Sequence, residues 1–254
     1  MKLLIAVLAA TTIAAAEPPE TLRFVTCPIY RDTDAGRKSG CWLADDRASG
    51  RRFDVSAAPS KPDWNHEILV EGKVAVGAPD RCGGIVLDPV RTSVLAGNCT
   101  RHMLPAEGYP GNRFSLPKRN VAPMAVARAI PPGPYRATTF RLIFGFDSAF
   151  LMYQYDDYLL DRAITWIRAA KPKAITVTGY AAGDPVTVSG RRLAEDKEIA
   201  RERADRVTEA LVRLGVDRAI ITVRTDARAL PVNDPDADGL SEASRRRVDI
   251  DTHF

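Results

Sequence analysis

All four cysteines of this chain, Cys27, Cys41, Cys82 and Cys99, fall before residue 100, and none follows. That asymmetry predicts two parts of different construction. An even set of cysteines in an exported protein reads as two disulfides, and export is what the first residues predict. Residues 1–16, MKLLIAVLAATTIAAA, place one lysine before an apolar run that ends in small residues. This is the three-part pattern of a secretory leader, with cleavage expected before Glu17. The run is too short and too rich in Ala and Thr for a membrane span, which needs about 20 residues. No later stretch is apolar for long enough, so the mature chain is expected to be soluble, with no transmembrane segment.

Spacing leaves all three disulfide connectivities open. Cys27–Cys41 with Cys82–Cys99 is favoured, because each would close a short loop inside β structure. The absence of a C-x-x-C pair argues against zinc. Between Thr21 and Leu116 the chain alternates in short runs, Leu22–Val25, Ile68–Val76 and Ile85–Leu87. Turn residues such as Ser49-Gly50, Pro79-Asp80 and Gly83-Gly84 separate them. Short strands between frequent turns predict a small all-β barrel or sandwich over residues 17–116. A unit of that size buries a modest core, so two disulfides would help to hold it.

Residues 117–136 contain Pro117, Pro123, Pro131, Pro132 and Pro134 and show no periodicity, which predicts a semi-rigid linker. The rhythm then changes. Thr138–Phe146 and Ala174–Tyr180 read as strands. Tyr155–Ala170 and Ile199–Leu214 repeat apolar residues in steps of three and four, which predicts amphipathic helices. Gly215 is placed to end the second helix. Ile220–Val223 and Arg247–Ile250 complete a β-α-β-α-β-β order over residues 137–254. Both helices are expected on one face of a mixed sheet, so the whole chain is α+β.

Composition and motifs exclude more than they assign. Hydrophobic residues at 45% and charged residues at 27% are ordinary for a folded protein. A net charge of +4 without a Lys/Arg stripe interleaved with aromatics gives no footprint for nucleic acid. No G-x-S-x-G, P-loop or G-x-G-x-x-G is present. His66, His102 and His253 show no metal spacing. The pairs Asp45-Asp46 and Asp156-Asp157 carry no acid/base pattern. Asn233 to Gly239 begins like a calcium loop, but Arg245 stands where a bidentate Glu is needed. The expectation is a protein that is not an enzyme and has no cofactor or metal. A small-ligand site in the N-terminal β unit is a third and weaker reading.

Five stretches in order carry a likeness over residues 137–254. They are Phe144-Gly-Phe146-Asp147-Ser148, Ile175-Thr-Val-Thr-Gly179-Tyr180, Ile199-Ala-Arg-Glu-Arg203-Ala204-Asp-Arg-Val207, Leu214-Gly215-Val216 and Arg245-Arg246-Arg247-Val248-Asp249-Ile250. Together they resemble the OmpA-like C-terminal domain, the peptidoglycan-associating module of Gram-negative envelopes. The N-terminal half resembles no family. The resemblance implies a periplasmic protein of the cell envelope that associates non-covalently with peptidoglycan. Its partner there would be the diaminopimelate of a stem peptide, and outer-membrane or periplasmic proteins are further partners.

The family meets that zwitterion with an Asp at the end of the second strand and an Arg in the second helix. The Arg maps onto Arg203. The Asp maps onto Ala182, with Asp184 two positions on. The segment from Ala182 to Arg203 is about six residues longer than is usual in the family. The implied peptidoglycan-binding set is Arg203, Tyr180, Asp184 and Arg246. The departure at Ala182 also raises the alternative that the fold is kept as a protein-interaction scaffold.

Overall fold

The computed structural model describes residues 20–34, 40–111, 129–152, 155–234 and 238–254. The leader at 1–16 and residues 117–128 of the proline-rich stretch lie outside them. The protein is α+β. Among the described residues no helix is long and apolar enough to cross a membrane.

Seven strands build the first half: β1 (Thr21–Thr26), β2 (Pro28–Arg31), β3 (Cys41–Asp46), β4 (Arg51–Asp54), β5 (His66–Val74), β6 (Ile85–Asn98) and β7 (His102–Leu104). They form one sheet in the order β1-β5-β6-β4-β3-β2-β7. β6 joins its two parts. Ile85 and Val86 pair with β4, and the rest of the strand runs antiparallel to β5. The two parts face each other across a shared core of Phe24, Ala44, Phe53, Ile68, Val70 and Leu87. Phe24 and Phe53 meet with ring centroids 5.6 Å apart.

The disulfides are Cys27–Cys99 and Cys41–Cys82, which corrects the favoured pairing of Cys27 with Cys41 and Cys82 with Cys99. The reason is β6. Its 14 residues lie between Cys82 and Cys99, and an extended strand of that length holds its ends up to about 45 Å apart. Pro89 falls inside the strand, at a point where pairing shifts register. That proline hides the length of the strand behind the short run Ile85–Leu87. On the other side, Arg31 and not Cys27 stands opposite Cys41 in the β2–β3 ladder.

The second half contains β8 (Thr139–Ile143), α1 (Tyr155–Ala170), β9 (Ala174–Tyr180), β10 (Val186–Val188), β11 (Arg191–Leu193), α2 (Glu198–Arg213), β12 (Ile221–Asp226) and β13 (Arg247–His253). The main sheet runs β12-β9-β13-β8, with β12 parallel to β9 and β13 antiparallel to both neighbours. Leu159, Ala163, Ile164 and Ile167 of α1 share one core with Ala204, Val207 and Leu211 of α2. That core packs on Phe140, Leu142, Ile175, Val177, Val248 and Ile250 of the sheet. Gly179 explains itself here. A Cβ at this position would lie 1.9 Å from the Ala200 carbonyl oxygen, so only glycine lets α2 approach β9 so closely.

Within the second half, the β10–β11 hairpin is what periodicity did not predict. Its strands have three residues each, below the length at which alternation is readable. Ser189 and Gly190 form its two-residue turn, both with positive φ, as the primed hairpin turns require. The hairpin packs across the two halves. Val188 and Leu193 are buried with Val25 and Leu69, and Leu95, Phe146 and Val186 pack around them. Arg246 of the second half is fully buried and pairs with Glu71 of β5. Arg91 of β6 pairs with Asp238 at 3.1 Å.

Each disulfide removes loop-closure freedom from the unfolded chain, and the longer loop removes more. The sequence separations are 72 for Cys27–Cys99 and 41 for Cys41–Cys82. Replacing either pair by Ser is expected to cost about 2–5 kcal/mol, with the Cys27–Cys99 loss larger by about 0.5 kcal/mol. Urea titration of the two double variants checks the size and the order.

Candidate functional site

The C-terminal ends of the strands meet α2 at one edge of the second half. Ile143 ends β8, and the chain leaves it through Phe144, Gly145, Phe146 and Asp147. Tyr180 ends β9, followed by Ala181 and Ala182. Arg203 projects from the second turn of α2 into the space between these two exits. Its guanidinium lies 5.4 Å from the centroid of the Phe144 ring.

All five guanidinium N–H donors of Arg203 have partners. Nε donates to the Ser148 carbonyl at 2.9 Å, Nη1 to the Tyr180 carbonyl at 2.8 Å and Nη2 to the Gly145 carbonyl at 2.9 Å. The other two go to the carboxylate of Glu195, at 3.0 Å from Nη1 and 2.6 Å from Nη2. Glu195 is filled in turn. Oε1 also accepts from the Asp147 amide, and Oε2 from the Ala182 amide, each at 2.7 Å. Both side chains are fully buried.

Arg203 thus stands at the strand ends as the sequence suggests, but it is sealed where a cation open to a ligand was expected. Tyr180 meets it only through its carbonyl. Its ring lies on the opposite face of the sheet, with the Arg247 guanidinium 3.9 Å from its centroid. Asp184 does not turn toward Arg203. It is largely exposed and faces Arg245 at 3.5 Å and Arg228 at 3.8 Å. Arg246 borders this edge, with Nε 3.4 Å from the Phe144 carbonyl, but its guanidinium is buried and paired with Glu71 at the junction of the halves. The four side chains therefore do not line one open site.

Sequence reasoning missed Glu195. It is one of several acids in the segment between Ala182 and Arg203, and no spacing rule marks it. The one signal was the unusual length of that segment.

Beside the sealed pair lies an open groove of about 610 Å³. Asp147, Ser148, Phe150 and Leu151 form one wall, and Ile199, Glu202 and Arg206 of α2 form the other. Glu202 and Arg206 stand one helical turn apart on the same wall. Among the described residues one trio has metal-ligand proximity, Cys41, Asp54 and Cys82. The disulfide occupies both of its sulfurs. Asp234 and Asp238, from the stretch read against a calcium loop, pair with Arg141 and Arg91.

Burial alone would raise the Glu195 carboxyl above the usual range. The hydrogen bonds and charge of Arg203, with smaller help from Arg246 and the Ala182 amide, outweigh it and hold the group below that range. A depressed carboxyl contributes stability that is fully present above its unfolded value, about 4.3, and is lost as pH falls through the lower folded value. Glu195→Gln leaves Arg203 buried without its counter-charge and is expected to cost about 3–5 kcal/mol at pH 7. The difference from the parent protein should shrink as pH falls below about 4, which urea midpoints measured from pH 7 to pH 3 check.

Comparison with known proteins enters at this point. Residues 143–246 match the OmpA family. No curated protein matches the chain. Among solved structures the chain is similar to the OmpA-like domain of FopA1 from Francisella tularensis subsp. tularensis SCHU S4. Identity is 19%, with 46% of this chain and 71% of that one covered, at a TM-score of 0.36. It is similar to the peptidoglycan-associated lipoprotein from Burkholderia pseudomallei, with 24% identity, 43% and 86% coverage and a TM-score of 0.32. It is also similar to the cell wall anchor of the T6SS from Pseudomonas aeruginosa, with 22% identity, 46% and 81% coverage and a TM-score of 0.35. The match to the OmpA family is confined to residues 143–246, and no family is matched by the N-terminal half.

Proposed function

We propose that this is an exported envelope protein of a Gram-negative periplasm that associates non-covalently with peptidoglycan through its OmpA-like domain. The N-terminal disulfide-linked unit then presents a second face to periplasmic or outer-membrane proteins. One observation carries the reading. Within the OmpA-family segment, the groove at the strand ends bears an acid and a base, Glu202 and Arg206, one turn apart on its α2 wall. A diaminopimelate side chain ends in an ammonium and a carboxylate on one carbon, a compact zwitterion that an acid and a base one turn apart on a helix can grip together. Arg206 suits the carboxylate, and Glu202 or Asp147 suits the ammonium. Recognition of this kind makes and breaks no bond.

The Glu195–Arg203 pair favours a second reading. An internal carboxylate occupies the deeply placed guanidinium of Arg203, and Ala182 supplies no acid beside it. On that reading the wall site has decayed and the fold serves as a scaffold for protein contacts.

Sedimentation of the full-length mature protein with purified diaminopimelate-type sacculi separates the two. Wall association predicts co-sedimentation that Arg206→Glu weakens at least tenfold, with the variant's thermal melting unchanged. A parent protein that stays in the supernatant at every concentration supports the scaffold and ends the wall reading.

A further inference from the structure

Glu195 is held in place from the far half of the molecule. Leu193, two residues before it, is buried in the cluster that joins the hairpin to Val25 and Leu69 of the N-terminal sheet. The hairpin tip is pinned as well, because Ser189 Oγ accepts from the Val25 amide at 3.0 Å. Arg191 reaches Glu67 of β5 at 2.6 Å. The opposite lip of the pocket is seated in the same way. The Phe146 amide donates to Ser93 Oγ at 2.9 Å, and Asp147, the next residue, gives its amide to Glu195. Two residues of chain span at most about 7 Å. The backbone of Glu195 therefore cannot draw away from the Arg203 edge while Leu193 stays seated on β1 and β5.

We propose that the β10–β11 hairpin is a latch. Seated on the N-terminal sheet, it keeps Glu195 on Arg203; unseated, it frees Arg203 to take a carboxylate from outside. The latch rests on the wall-association reading and deepens it. The closed protein offers the shallow groove of Glu202 and Arg206, and the open protein adds the deep guanidinium. An external carboxylate then completes the donor set that Glu195 completes now, namely two N–H groups of Arg203 and the amides of Asp147 and Ala182. Its apparent affinity is lowered by the fraction of molecules that are closed.

Two variants of the full chain test this, Val188→Ala/Leu193→Ala to loosen the hairpin and Glu195→Gln to remove the internal carboxylate. The first readout needs no ligand. Amide hydrogen exchange at Ala182 and Asp147 should speed up at least tenfold in the hairpin variant, while amides of β9 and β13 keep their parent rates. The second is binding of free meso-diaminopimelate by calorimetry, which should tighten at least tenfold in either variant. Exchange at Ala182 and Asp147 that merely follows the sheet amides overturns the latch. So does a Glu195→Gln protein that binds diaminopimelate no better than the parent, even if the hairpin variant fails to fold. Sacculi separate the two ideas. If opening tightens diaminopimelate but no form sediments with sacculi, the wall reading fails and the latch stands. If the parent sediments and neither variant changes binding, the latch fails and the wall reading stands.

Discussion

The Arg203–Glu195 ion pair organises the edge of the second half. A guanidinium with no water around it is tolerated only when every N–H finds an acceptor and the charge is matched. Here three backbone carbonyls, two from the β8 exit and one from the end of β9, and one carboxylate meet both conditions. The consequence is geometric. The exits of β8 and β9 cannot move apart without leaving a buried donor unpaired. The segment after β11 is tied to them through the same carboxylate. The groove beside α2 takes its shape from these fixed walls.

A second buried arginine does comparable work at the junction of the halves. Arg246 donates to Glu71, and Arg23 lies 3.1 Å from the same carboxylate. With the hairpin cluster, this gives the two halves a common interior of both apolar and charged groups. A buried pair of this kind adds little net stability compared with an apolar pair of the same shape, but losing one partner is costly. It therefore fixes how the halves meet more than how strongly. That is a useful property if the N-terminal sheet has to report its position to the Arg203 edge.

The helices of the second half and its β-α-β-α-β-β succession were legible because their apolar residues repeat at 3.6 and at 2 over whole elements. The Gly179 of its second motif was visible as a letter, and its reason, the closeness of Ala200, needed coordinates. The first half was legible only as β structure. Pro89 hid the length of β6 behind the short run Ile85–Leu87, and the disulfide expectation failed with it. At the site, the position of Arg203 on α2 could be read, whereas its occupant could not. Glu195 meets it across a loop, and no spacing rule reports which of several acids in a loop will turn inward. Asp184 was a candidate for its nearness to Ala182 and Arg246 through the family resemblance, and charges distant in sequence, Arg245 and Glu71, engage them instead.

The central claim is that Arg203 is locked by five hydrogen bonds, two of them to Glu195. Nitrogen-detected NMR of the arginine side chains reads this directly. A locked guanidinium predicts resolved Hη protons for Arg203 that exchange slowly with water, and their collapse when Glu195 is replaced by Gln. A single averaged Hη signal in the parent protein, like that of a solvated arginine, would contradict the account.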